Sequence, residues 1–346
     1  MKATHEEFHS GFRLAGQSFA SVTALLKAVE NTVSFDFLSE WFDEKPTISA
    51  QTSGSTGVPK QISLQKKHLR ASALATGAFF DLPEGTTALL CLSPAYIAGK
   101  MMWVRALVLG WHIDLVAPEG NPLKDSVKIY DFTAMVPLQL ANSINELHKI
   151  KQLIVGGGVV SSKLIQQIQG VSTQLYATYG MTETVSHVAI RKLNNPEEES
   201  AYKAMQGVSF SQDNRDCLVV TAPHVTADIC VTNDVVRLVS ETAFEWMGRV
   251  DTVINSGGVK LIPEEIEKKL SEIISQRFFV AGVPDSLLGE KLVLLIEGTV
   301  SNDVSDNVKS LKTLSKFEIP KEIYFIKKFI ETETKKIQRK KTLALK

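Results

Sequence analysis

Residues 52–60 read Thr52-Ser53-Gly54-Ser55-Thr56-Gly57-Val58-Pro59-Lys60. Three hydroxyls and two glycines fill the five positions from Ser53 to Gly57, and a proline then introduces a single lysine. Glycines let backbone N–H groups turn toward one point without a Cβ in the way. Hydroxyls add further donors, and such a nest suits a polyphosphate. A Walker A loop is excluded, because it needs four residues between its first glycine and a Gly-Lys-Ser/Thr, with a helix after it. By itself the string also reads as a flexible Gly/Ser linker. Ile48 and Ala50 precede it and Gln61-Ile62-Ser63-Leu64 alternates after it, so the loop is expected to join two strands.

Outward from this stretch, 346 residues are enough for one large domain or two. Hydrophobic residues at 44% and charged residues at 22% are ordinary for a globular chain. Lys+Arg and Asp+Glu are both 38, so nothing in the overall charge calls for a nucleic acid partner. The basic run Lys335, Lys336, Arg339, Lys340, Lys341, Lys346 reads as a solvated tail unless a motif claims part of it. Cys91, Cys217 and Cys230 are scattered, with neither metal-ligand spacing nor a disulfide framework. The polar start Met1–Glu7 lacks a signal-peptide core, and Met101–Ala117 is interrupted by Arg105, His112 and Asp114, so no membrane span is expected. These features point to a reduced, cytoplasmic compartment, leave a homo-oligomer open and are compatible with small-molecule substrates.

Periodicity predicts helix over 17–44 and 66–80, strands at 87–92 and 112–116, and a helix at 101–109 between them. Strand–helix alternation continues through Tyr130–Val136, Leu138–Leu147, Leu153–Val155, Leu164–Ile168 and Gln174–Thr178, the pattern of a parallel or mixed sheet covered by helices. After residue 185 short strands follow without helices, a small β region. From Gly248-Arg249-Val250-Asp251 onward a compact βαββαβ-like unit is expected, its first helix opening at Pro263 with Glu264, Glu265 and Glu267. The expected architecture is α/β: a large N-terminal domain (1–248), a hinge (249–251) and a small α+β lid (252–346).

A second stretch, Tyr176-Ala177-Thr178-Tyr179-Gly180-Met181-Thr182-Glu183-Thr184, follows a strand, so its polar groups sit where open α/β sheets bind ligands. It offers an aromatic ring (Tyr179), a hydroxyl (Thr182) for a phosphate and a carboxylate (Glu183) for Mg2+. Gly156-Gly157-Gly158, after another strand, would let a flat ligand lie against bare backbone. Thr232-Asn233-Asp234 in isolation is an ordinary turn.

Taken in order, these stretches resemble the motifs of the AMP-forming acyl and aryl acid–CoA ligases. In that superfamily ATP activates a carboxylate as an acyl-adenylate, which is then passed to the thiol of coenzyme A. The resemblance implies that Thr52, Ser53, Gly54, Ser55, Thr56, Gly57 and Lys60 bind ATP phosphates, and that Gly157, Tyr179 and Gly180 hold the adenylate. It implies that Asp234 and Arg249 hold the ribose, Thr182 and Glu183 serve the phosphates and Mg2+, and Asp251 is the hinge. Gly257 and Gly258 would line the path of the thiol, and Lys336 would be the lysine that closes over the carboxylate and α-phosphate. The chain departs from the pattern at Asn233 and at Lys335, both usually glycine. Compact size and Val136-Pro137-Leu138-Gln139-Leu140 resemble the 2-succinylbenzoate–CoA ligase branch of menaquinone biosynthesis. In that branch Tyr96, Gly99 and Lys100, with Arg105 next in line, are the candidates for the acid's second carboxylate. The resemblance leaves two alternatives: a nucleotide-binding homologue without ligase activity, and a ligase that loads a carrier-protein thiol.

Overall fold

The computed structural model describes residues 8–51, 60–194, 199–300, 303–331 and 337–346. Twelve strands form one sheet in the order Arg13–Leu14, His112–Leu115, Thr87–Leu90, Tyr130–Met135, Ile150–Val155, Gln174–Gly180, His187–Lys192, Tyr202–Ala204, Ala243–Arg249, Cys230–Ser240, Cys217–Thr221, Ser209–Gln212. The first six are parallel. From Gln174–Gly180 onward every pairing is antiparallel. The short strands after residue 185 therefore extend the parallel sheet and do not stand apart from it. The parallel half also reverses direction: from Thr87–Leu90 the chain moves first to one side and then to the other, which opens a crevice at the strands' carboxyl ends.

Helix Ile97–Leu109 is the centre of the larger core. Met101, Met102, Trp103, Val104, Ala106 and Leu107 are all buried, and so are Lys100 and Arg105, so it is enclosed around its whole circumference and mostly apolar there. Helix Lys66–Phe80 lies close beside it: a Cβ on Gly77 would approach Leu109 Cδ1 to 3.0 Å. The N-terminal helical region is two helices, Val22–Val29 and Phe35–Phe42. Thr32 breaks it, because its hydroxyl donates to the Val29 carbonyl at 2.8 Å and accepts from the Ser34 N–H at 3.2 Å.

Strands Thr47–Gln51 and Gln61–Gln65 pair with each other alone, Thr47 opposite Gln65 and Gln51 opposite Gln61. The hydroxyl-and-glycine stretch is thus the connection of a hairpin, as expected from its flanks, and residues 52–59 lie outside the described residues.

Beyond Arg249 a second sheet forms around its own core of Ile254, Leu261, Ile266, Leu270, Val280 and Leu294. Strands Phe278–Asp285 and Gly289–Glu297 are antiparallel, and Glu322–Ile326 joins in parallel. Helix Pro263–Leu270 opens as expected, with proline in its first turn and Glu264 and Glu265 at the positive end of its dipole. Among the described residues no helix is long and apolar enough to cross a membrane.

Candidate active site

Strands Ile150–Val155 and Gln174–Gly180 run side by side and end together. Gly156-Gly157-Gly158 continues the first. Gly157 adopts φ +76°, and a Cβ on Gly156 would lie 2.6 Å from the Thr178 hydroxyl oxygen. Bare backbone is therefore a steric requirement here. The Thr178 hydroxyl donates to the Val155 carbonyl at 3.2 Å and fastens the two strand ends.

After Tyr179 the chain must turn sharply. Gly180 has no room for a side chain, since a Cβ would sit 2.3 Å from the Ser186 carbonyl oxygen. Thr182–Thr184 form one 3-10 turn, braced by Thr184 Oγ1, which accepts from the Met181 N–H at 3.0 Å. Val185, buried, has φ +67° and ψ −49°, and the Ser186 N–H bonds to the Thr184 carbonyl at 2.7 Å. A γ-turn of this hand is strained for a β-branched residue. It leaves Glu183 exposed on one side and turns Ser186 back toward the interior. Among the described residues no group of three His, Cys, Asp or Glu could hold a metal ion. One free hard oxygen does suit Mg2+, which takes one or two carboxylates and fills its shell with phosphate and water. Glu183 fits that role.

Asp234 is the most constrained carboxylate of the region. The Tyr179 hydroxyl donates to it at 2.6 Å and the Trp246 indole N–H at 3.2 Å, and Arg249 Nη1 stands 3.6 Å away. Burial, with the Asp234 charge beside it, pushes the Tyr179 phenol far above its ordinary pKa, so it remains a donor. The Tyr179 ring packs edge-on against Phe244, with centroids 5.0 Å apart. Arg249 also pairs with Asp251 at 2.7 Å. Burial opposes the Arg249 charge, but Asp251 and Asp234 outweigh it and raise its pKa. Asp251 sits on the short turn Val250–Thr252 between the two sheets. Asn233 donates to Asp251 at 3.2 Å and accepts from Arg215 at 3.0 Å.

Ser186 leads to Arg105. This guanidinium is 2% exposed and donates to Thr76 Oγ1 at 3.2 Å and to Ser186 Oγ at 2.9 Å. His187 Nδ1 lies 3.5 Å from Nη2. No carboxylate pairs with Arg105 among the described residues. Burial pulls its pKa down to about 9, which leaves it charged at neutral pH. Burial, and then Arg105 itself, hold His187 well below its ordinary value and so neutral.

Lys100 is not brought to this cluster. Its ammonium stands over the Phe37 ring, 4.7 Å from the centroid, and burial lowers its pKa against the pull of Glu40 and Asp36. Tyr96 caps the helix start and is 41% exposed. Gly99 serves packing: a Cβ there would lie 2.3 Å from the Ser93 carbonyl oxygen. Gly257 and Gly258 make the two-residue turn between Ile254–Ser256 and Val259–Leu261, with φ of +59° and +82°, the conformation that favours glycine in tight hairpins. Lys60 immediately precedes its strand. Thr52, Ser53, Gly54, Ser55, Thr56, Gly57, Lys335 and Lys336 lie outside the described residues. Thr76, Ser186, His187 and Trp246 were not singled out from sequence. The Ser-His pair directly after the Thr-Glu-Thr-Val turn was the available signal.

Glycine backbone at two adjacent strand ends, an exposed carboxylate on the following turn and an aspartate clamped by Tyr179 are thus brought together. Residues 44–234, more than half of the chain, match the AMP-binding enzyme family. The chain belongs to that family. It is an AMP-forming acid ligase by class. The 2-succinylbenzoate–CoA ligase of Lactococcus lactis is 26% identical over 86% of this chain and 71% of that protein. The protein of the same name from Enterococcus faecalis is 24% identical over 93% and 74%. Among solved structures, an acyl-CoA synthetase (AMP-forming)/AMP-acid ligase II-like protein from Dyadobacter fermentans is 38% identical, with a TM-score of 0.60 over 90% of this chain and 93% of that one. O-succinylbenzoate coenzyme A synthetase from Bacillus subtilis, solved with ATP and a magnesium ion, has a TM-score of 0.74 over 85% and 69%, at 20% identity. At that identity the likeness is one of fold.

Proposed function

We propose that this AMP-binding enzyme joins an aryl dicarboxylic acid of the 2-succinylbenzoate type to coenzyme A through an acyl-adenylate. The acid's carboxylate oxygen attacks the α-phosphorus of ATP and pyrophosphate leaves. The thiol sulfur then attacks the activated carbonyl, losing its proton, and AMP departs. A free carboxylate is a poor acyl donor because oxide would have to leave, and adenylation supplies a good leaving group. The site then works by positioning and by charge stabilisation.

In this scheme Asp234 accepts the ribose hydroxyls, Gly156–Gly158 gives the adenylate a flat backbone surface, and Lys60 and the hairpin loop before it bind phosphate. Mg2+ held by Glu183 would neutralise phosphate charge. Lys336 steadies the charge at the carboxylate and α-phosphate in the first half-reaction. Rotation about Asp251 then exchanges it for the turn at Gly257 and Gly258. The three cysteines are free, which suits a cytoplasmic enzyme.

The observation that carries the acid's class is Arg105. A fully buried cation without a counter-ion costs several kcal/mol, and a ligand carboxylate would supply the missing charge. Arg105 donates to Ser186, three residues after Glu183, so its anion would lie beside the reacting centre. A monocarboxylate gives up its only charge on adenylation, whereas a dicarboxylate keeps one for Arg105. The names of the Lactococcus and Enterococcus relatives agree with a diacid.

Pyrophosphate exchange across paired aryl mono- and dicarboxylates, 2-succinylbenzoate among them, tests this. Diacids should be preferred, and Arg105→Met should raise their KM roughly ten- to a hundredfold without changing ATP affinity. Equal exchange with the matching monoacids, or an unchanged KM in Arg105→Met, would refute it.

A further inference from the structure

Strands Cys230–Ser240 and Ala243–Arg249 pair with Asp234 opposite Arg249, but with Val236 opposite Trp246. The three residues 234–236 thus face the four residues 246–249, a β-bulge that leaves Met247 unmatched. The bulge has a geometric effect on the site. Trp246 and Arg249 are three apart, an odd spacing, and in a regular strand they would face opposite sides of the sheet. With one residue bulged out they share the face of Asp234. Trp246 then donates its indole N–H to Oδ1 at 3.2 Å, and Arg249 stands 3.6 Å from the same oxygen. Tyr179 reaches the other oxygen, Oδ2.

A carboxylate has about four lone-pair sites, so the two hydrogen bonds from Trp246 and Tyr179, with Arg249 an ion pair beyond hydrogen-bond reach, leave acceptor capacity for about two more, and a ribose diol presents two hydroxyls. These bonds also remove rotational freedom. A carboxylate held at both oxygens meets its ligand in one orientation, without the ordering cost a free side chain would bear. We infer that Trp246 is a positioning residue for the nucleotide ribose: its indole N–H, aimed by the bulge, fixes the Asp234 carboxylate so that its remaining lone pairs meet the 2′- and 3′-hydroxyls. This rests on Asp234 as the ribose acceptor, and the test separates the two claims.

Titration calorimetry with ATP and with 2′-deoxy-ATP, in Mg2+ and without any acid, measures the contact directly. Wild-type protein should prefer ATP, and Asp234→Ala should abolish the preference. Trp246→Phe, which keeps a ring and removes the N–H, should weaken ATP roughly five- to twentyfold and weaken 2′-deoxy-ATP less, so that the discrimination shrinks. In an Asp234→Ala background Trp246→Phe should do nothing further, because its effect passes through that carboxylate. A merely destabilised protein would lose both nucleotides alike and would overturn the inference. So would Trp246→Phe with wild-type discrimination when Asp234→Ala has lost it. Discrimination that survives Asp234→Ala would overturn the ribose assignment itself, and the role of Trp246 with it.

Discussion

Replacing Glu264 by glutamine should stabilise the protein at about pH 8 and leave it unchanged near pH 4. Glu264 lies in the first turn of helix Pro263–Leu270, at the junction with the larger sheet. Its Oε1 accepts from the Thr252 hydroxyl at 3.3 Å. Its Oε2 is buried with no hydrogen-bond partner among the described residues, and it lies 2.4 Å from where a Cβ on Gly248 would be. Three charged groups face it: Arg339 from the C-terminal helix, 3.9 Å from Oε1, Glu267 one turn along its own helix, and Arg249 at the end of the neighbouring strand. Arg339 is already committed, because Glu267 accepts from both Nη1 and Nη2 at 2.8 Å. Two carboxylates share one guanidinium, and burial raises both, Glu267 to about 7. Glu267 also accepts from the Val280 N–H at 2.9 Å, so its charge has more partners than that of Glu264, whose pKa burial raises.

The sign follows from this. A carboxyl whose pKa is higher in the folded protein favours folding fully below its unfolded value, and that contribution disappears as pH rises through the folded value. Glutamine imitates the protonated acid at every pH. The difference between variant and wild type should therefore grow from nothing near pH 4 to about 1–2 kcal/mol at pH 8, the lower part of the range for an unpartnered buried polar atom. Urea denaturation at a series of pH values measures it. A difference that does not change with pH, or one that favours wild type at pH 8, would refute the raised pKa of Glu264 as its cause.

Gly180→Ala should cost about 1–3 kcal/mol and abolish ATP binding, because its Cβ meets the Ser186 carbonyl; thermal unfolding and calorimetry together check this. Gln139→Leu removes the amide that donates to the Cys91 and Glu119 carbonyls at 2.9 and 3.0 Å, and should lower the urea midpoint by the equivalent of about 1–3 kcal/mol. Lys336→Ala should stop adenylation while coenzyme A still attacks a pre-made acyl-adenylate; equal loss in both half-reactions would remove the lysine from its proposed role. Asp251→Pro, with φ fixed near −65°, should let adenylate accumulate with little thioester, and unchanged thioester formation would move the hinge elsewhere.

Motifs confined to one turn or one strand end were legible in the sequence. The two glycines of the Gly257–Gly258 turn announce their positive φ, and a strand followed by Tyr-Gly-Met-Thr-Glu announces its own place at a carboxyl end. What depends on distant pairing was not legible. Helix Ile97–Leu109 is buried on every side, so periodicity could not tell that Lys100 faces Phe37 while Arg105 faces Ser186. Trp246 was hidden for a different reason: its partner depends on a bulge, and alternation in a strand counts every residue. The break at Thr32 turned one expected helix into two, because a side-chain bond to the backbone competes with helix continuation where apolar spacing alone allowed it.

The edge strand Arg13–Leu14 also bears on how the chain is made. It pairs with His112 and Ile113, about a hundred residues downstream, so during synthesis it must wait roughly 5–20 s for a partner to emerge. Phe12 waits with it, since its ring packs 6.4 Å from that of Trp103. Pairing across so long a stretch must bear the loop-closure entropy before any contact rewards it. The antiparallel half closes largely between near neighbours in the chain and has no such delay. On the ribosome, this strand therefore waits longer for its partner than any other of the large sheet, and the apolar segment around Phe12 is the one a nascent chain must keep from straying in that interval.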